Sequence, residues 1–232
     1  MAYDLEEQEQ IANFKAFWAR FGNLISWVLI IALGSYAGYN FWNSHKRTKA
    51  TEAAALYDQL AESAQANGGA DSSAKVQRMA ADLESKFEGT AYAQMAALVA
   101  AKTAFDANDL KTAKAQLQWV VDHGNDEYKS IARLRLSGLL LDEKAYDQAL
   151  ALLNGDILPQ FAAEVQDRKG DVLVAQNKLA EARTAYEAAL AKMEKRNPGR
   201  QIVQIKLEAI GGTVPADKKS EQEKAAEQKA AA

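Results

Sequence analysis

The chain has 232 residues, with 28 Lys and Arg against 31 Asp and Glu for a formal net charge of -3, and it has no cysteine. A charge this close to balance gives no electrostatic footprint for nucleic acid. Without Cys there are no disulfides, thiolate metal sites or thiol chemistry, and that composition fits either side of an inner membrane.

Residues 1–20 form a leader with Asp4, Glu6, Glu7 and Glu9 beside Lys15 and Arg20. Ile11, Phe14, Phe17 or Trp18, and Phe21 recur at helical spacing, the pattern of a segment that lies along a membrane surface before the chain turns in. From Phe21 to His45 there is no Asp, Glu, Lys or Arg. At about 1.5 Å per residue this stretch covers the ~30 Å hydrocarbon core of a bilayer. Phe17, Trp18, Phe21 and Trp27 lie towards one end, and Tyr36, Tyr39, Phe41 and Trp42 towards the other, where amphipathic rings favour the two interfaces. The spacing predicts a transmembrane helix over 21–44. Two other readings stand beside it: the buried helix of a soluble core, and a signal peptide cut after Ser35-Tyr36-Ala37. The run without charge is long for the first. Against the second, the leader is acidic and the apolar run continues to Trp42.

From Thr48 onward Ala, Leu, Gln, Glu and Lys dominate, and the three prolines stand at 159, 198 and 215, so helices are the expected element. Turn formers cluster at Asn67-Gly68-Gly69, Glu88-Gly89-Thr90, Asn108-Asp109, His123-Gly124-Asn125, Leu141 to Ala145, Asn154-Gly155, Gln176-Asn177 and Asn197-Pro198-Gly199. They divide the domain into helices of about 12 to 18 residues. Three windows repeat one pattern, each just after a turn: Leu110, Ala113, Leu117; Tyr146, Ala149, Leu153; and Leu179, Ala182, Tyr186. The small residue lets two helices approach, and the bulky one a turn later fills the groove between them. Ala101, Ser137 and Gly170 take the matching small position in the preceding helices, followed by Ala104, Leu140 and Leu173. The repeat length is that of tetratricopeptide units, about 34 residues. Val76, Met79 and Leu83 read as a degenerate first unit over 50–88, and Ile202, Ile205 and either Val203 or Leu207 as an apolar cap on the last. The fold class is therefore all-α: a single N-terminal transmembrane helix followed by a tetratricopeptide-like α-solenoid over 45–210. A disordered tail is expected over 211–232.

No catalytic, cofactor-binding or metal-binding residue is assigned. His45 and His123 stand far apart, without a paired acid or base, and the Gly-Gly pairs lack the Lys-Ser/Thr sequel of a phosphate loop. What remains is a surface. The first helices of stacked pairs line a concave face, and projecting the windows puts Met95, Leu98, Phe105, Ile131, Leu134 and Leu141 there, followed by Glu164, Asp167 and Asp171. Apolar residues at helical spacing more often pack inside, so each of the six apolar positions also has a core reading.

The acidic leader, a span ending in Phe41-Trp42-Asn43-Ser44-His45, the Ala-rich degenerate repeats and the stretch "GDVLVAQNKLAEARTAYEAAL" together resemble the ancillary SecYEG translocon subunit family of proteobacteria. The resemblance covers residues 1 to about 210. It implies an inner-membrane protein crossing once, with a cytoplasmic N-terminus and a periplasmic repeat domain. The implied partners are the SecYEG translocon, a membrane-anchored periplasmic chaperone related to peptidyl-prolyl isomerases, and exported polypeptides. The charges flanking the span oppose this orientation by one residue, with Lys15 and Arg20 before it against Lys46, Arg47 and Lys49 after it. A cell-envelope scaffold that assembles a different inner-membrane complex through the same repeat surface is the alternative function.

Overall fold

The computed structural model describes residues 2–66 and 69–213. Every regular element among them is helical: α1 (Ala2–Gln65), α2 (Gly69–Phe87), α3 (Ala91–Asp106), α4 (Leu110–His123), α5 (Asp126–Asp142), α6 (Tyr146–Leu153), α7 (Ala162–Ala175), α8 (Leu179–Lys192) and α9 (Gly199–Ala209), with one 3-10 turn at Pro159–Phe161. Two compact units share the chain, the first ending at Glu52 and the second beginning at Ala53.

In the first unit α1 is helical through the leader and the apolar run without interruption, so the turn expected between them is absent. Apart from half-buried Ile25 and Ser26, the residues from Leu24 to Trp42 are exposed all round the helix, with Leu33 66%, Tyr36 67% and Phe41 78% exposed. A helix that is apolar all round and uncovered by its own protein matches a lipid environment, and this one is long and apolar enough to cross a membrane. Each end of the run pairs a cation with an aromatic ring: the Arg20 guanidinium lies 5.7 Å from the Phe21 centroid, and the Lys46 ammonium 3.6 Å from that of Trp42. Aromatic and basic side chains meet in this way at the water boundary of a span.

The second unit is a chain of helix pairs. Consecutive helices from α2 to α9 pack on one another, and α5 also packs past α4 onto α3 and past α6 onto α7. This places α3, α5 and α7 in one layer, the nearest-neighbour arrangement of a solenoid. The small residues do what their spacing implies: Ala113, Ala149 and Ala182 are buried, as are Leu117, Leu153 and Tyr186. Gly170 is needed where it stands, because a Cβ there would lie 2.3 Å from the Tyr186 ring.

The turns inside the three pairs are copies of one another. Asn108, Lys144 and Asn177 adopt φ of 60°, 62° and 60°. After each, the next N–H donates to a carbonyl five residues back, Asp109 to Ala104, Ala145 to Leu140 and Lys178 to Leu173, all at 2.8 Å. This is the Schellman arrangement, in which a left-handed residue lets the chain satisfy the last carbonyls of a helix. Local caps add to it, since the Thr112 N–H donates to Asp109 and the N–H groups of Glu127 and Tyr128 donate to Asn125.

Four expectations change. The first unit's small residue is Ala80, buried between Val76 and Leu83, while Met79 is half-buried, which moves the register by one. On α9, Val203 and Leu207 face the stack, whereas Ile202 and Ile205 are each 58% exposed, because a four-residue step stays on one helix face. Helix α6 has eight residues, shorter than expected, and hands over to α7 through the Pro159 turn. Leu179 closes its turn but remains exposed. Of the tail, only the first residues fall within the described range, and 214–232 lie outside it.

A β-carbon in the left-handed region costs about 1–2 kcal/mol relative to glycine, and Lys144, unlike the two asparagines, has no short side chain to offset this. Lys144→Gly is therefore expected to raise stability by roughly 0.5–1 kcal/mol, read as a higher unfolding temperature in detergent micelles, whereas Lys144→Val lowers it.

Candidate partner-binding surface

The layer of α3, α5 and α7 holds an open groove of about 470 Å³. Its floor is Ala101, Leu117 and Leu139, and its walls carry Phe105 and Lys102 from α3, Arg135 and Asp142 from α5, and Arg168 from α7. The Arg168 guanidinium packs over Gly138, where a Cβ would meet it at an ordinary contact distance of 3.6 Å. A second groove, about 630 Å³, lies on the other side of α3, between that helix, the end of α1 and the start of α2, and shares Lys102. A third, about 600 Å³, opens on the outer side between α4, α5 and α6.

The structure divides the residues projected onto this face. Phe105 is in the groove and 47% exposed. Leu98 is 8% exposed and belongs to the central core, and Ile131, Leu134 and Leu141 are half-buried against the same core. Met95 is half-buried. Glu164 is exposed, while Asp167 and Asp171 are engaged within the chain. Lys102, Arg135, Asp142 and Arg168 did not stand out in the sequence, since charges on a helix usually mark a solvated face. A usable signal existed: Arg135 and Arg168 each precede the small residue of their unit, Ser137 or Gly170, by two positions.

At the C-terminal end α9 closes the layer through an ionic cluster. The Lys206 ammonium donates to Asp167 Oδ1 at 2.8 Å and to Asp171 Oδ2 at 3.0 Å, and lies 2.8 Å from Asp171 Oδ1. The Tyr186 hydroxyl donates to Asp171 Oδ1 at 2.9 Å. Burial holds the Asp167 carboxyl above its ordinary range, with Lys206 pulling the other way. Burial, and then the charge of Asp171, push the Tyr186 hydroxyl well above the usual phenol range, so it remains a donor. Arg183 Nε donates to the Ile210 carbonyl at 2.8 Å and fastens the end of the helix. Among the described residues no group of three or more His, Cys, Asp or Glu is placed to hold a metal ion. His123 stacks on Trp119 at 4.9 Å and bonds its carbonyl at 2.9 Å.

Residues 15–212 match the family described as a tetratricopeptide repeat-like domain. A relative from Neisseria gonorrhoeae named ancillary SecYEG translocon subunit is 35% identical over 211 residues, covering 90% of this chain and 100% of its own. This chain belongs to the ancillary SecYEG translocon subunit family. Proteins of the same name from Haemophilus influenzae and Escherichia coli are each 31% identical, covering 85% and 79% of this chain and 100% and 87% of their own. No solved structure matches it significantly. The family match begins inside the leader and ends just beyond α9, so the anchor and every helix pair are included in it. An apolar N-terminal helix and a family name tied to a translocon fit an inner-membrane protein.

Replacing Lys206 by Met leaves half-buried Asp167 without its cation and Asp171 with only Arg168 at 3.7 Å, and is expected to cost roughly 1–3 kcal/mol near neutral pH. Asp167 already binds its proton more tightly folded than unfolded, and losing Lys206 strengthens that preference. Stability in the variant is therefore lost as pH rises through the raised value and recovered as pH falls towards about 4. Thermal unfolding at neutral and acidic pH should show the gap to the parent protein narrowing in acid.

Proposed function

We propose that this chain is a non-enzymatic, membrane-anchored accessory of the Sec translocon, with its repeat domain in the periplasm and its N-terminus in the cytoplasm. The apolar run of α1 is the anchor and stands beside the channel. The inner layer of the repeats receives a periplasmic chaperone, emerging secreted polypeptides, or both. The observation that carries this reading is the pairing of an uncovered apolar helix with a repeat domain whose inner layer keeps an open groove containing an exposed aromatic ring. The names of the relatives supply the channel, and the chaperone comes from the family resemblance.

A photo-crosslinking amino acid at Phe105, with a second at Leu141 on the same layer, should trap translocon-associated chaperones or secreted chains in growing cells. Capture of cytosolic proteins alone overturns the assignment. Recovery of a stoichiometric envelope complex that lacks channel subunits points instead to the scaffold role.

Orientation has its own measurement, because alkaline phosphatase is active only outside the cytoplasm. Fused to the C-terminal end of the chain it should be active, and an inactive fusion places the repeats on the cytoplasmic side, as the flanking charges favour.

A further inference from the structure

The geometry points to the groove between α3, α5 and α7 as a docking site for a short extended polypeptide segment that carries a large apolar side chain next to Asp or Glu. This deepens the reading that the repeats bind polypeptides, and it rests on that reading.

Apolar recognition comes from Phe105. From α3 to α8, Phe105 and Leu179 are the large apolar side chains left exposed, and Phe105 is the one that lines a groove. Its ring stands above the apolar floor of Ala101, Leu117 and Leu139, so an incoming apolar side chain would be covered on more than one side. At about 470 Å³ the groove takes a few residues of chain and no folded domain, a size ordinary for sites of about 300–1,000 Å³ that hold small ligands.

Charge recognition comes from the walls. Lys102 is bonded to Asp106 on its own helix. Arg135 is exposed and forms no ion pair or hydrogen bond among the described residues. Arg168 faces Asp171 at 3.7 Å, but the oxygens of Asp171 already accept from Lys206 and Tyr186. Arg135 thus borders the groove without a carboxylate partner and Arg168 with a shared one, against the single acidic wall residue Asp142. Guanidinium groups bind carboxylates through two parallel hydrogen bonds, and Arg is the side chain suited to such pairing. The cluster at α9 contributes as well: Lys206 offsets part of the negative charge of Asp167 and Asp171, which would otherwise repel an acidic segment more strongly at the end of the layer. A site this small binds weakly and releases readily, since stable interfaces bury about 1,200–2,000 Å².

The test uses the full-length protein in detergent micelles and a fluorescein-labelled peptide of glycine and serine that carries two phenylalanines, each beside an aspartate. Fluorescence anisotropy should show saturable binding that weakens with added salt. Affinity should fall at least about tenfold with Arg135→Glu, and also with Phe105→Ser. A companion peptide with lysine in place of each aspartate should bind the Arg135→Glu protein better than the parent. Because both positions are exposed, unchanged unfolding temperatures are expected for the variants. Equal binding of a peptide with asparagine in place of each aspartate, or affinity unaffected by Arg135→Glu, overturns the proposal. Binding competed by anionic lipid vesicles and insensitive to Phe105→Ser overturns it in favour of a lipid headgroup. Co-purification of the unsubstituted protein with channel subunits is scored in parallel: if it persists while peptide binding fails, only this inference falls, and if it is absent, the parent reading falls instead.

Discussion

Close approach of paired helices at a small residue is the constraint on which the repeat domain rests. Where Gly170 meets the Tyr186 ring there is no room for a single additional carbon. The same contact sets the orientation of the Tyr186 hydroxyl, which reaches Asp171 and through it Lys206 on α9. Packing at one backbone position therefore decides how the stack ends. Ala113 and Ala149 play the corresponding part in the earlier pairs, each buried with a bulky partner one turn on. Because each helix contacts mainly its neighbours, errors at one crossing stay local, as in other solenoids.

The two units obey opposite solvent rules along one chain. In the first, apolar side chains surround the helix and most of those described are exposed. In the second, the apolar residues are confined to stripes and the core runs on through three clusters, with Trp119 packed against both the first and the second. Cation–aromatic contacts mark the ends of the apolar run, Arg20 with Phe21 at one and Lys46 with Trp42 at the other. Family membership and the anchor together narrow the possible settings of the groove, and the groove's own chemistry supplies what the family name does not.

Several acidic and basic residues of the inner layer are paired within the molecule. Asp167 and Asp171 look like free carboxylates when α7 is read alone, since their cation arrives from Lys206 on a different helix. Arg135 and Arg168 look like ordinary solubilising charges along their helices, and Arg168 becomes conspicuous only when the oxygens of Asp171 are found to accept from Tyr186 and Lys206. Phe105 is the one projected residue for which the sequence projection and the groove coincide.

The amino-acid order alone determined the helical class, the apolar anchor, the positions of nearly all the turns and the register of the three well-formed repeats. Each of these depends on interactions within a turn or two of chain, such as periodicity, capping and the left-handed residues at Asn108 and Asn177. The tertiary structure decided which face of α9 points inward, which small residue serves the first pair, and whether Leu98 or Phe105 meets solvent. Those outcomes depend on partners in other helices, whose crossing geometry sets the depth of each side chain. The same holds for charge: whether a carboxylate is available is a property of its neighbours in space, and local order along a helix carries no record of them.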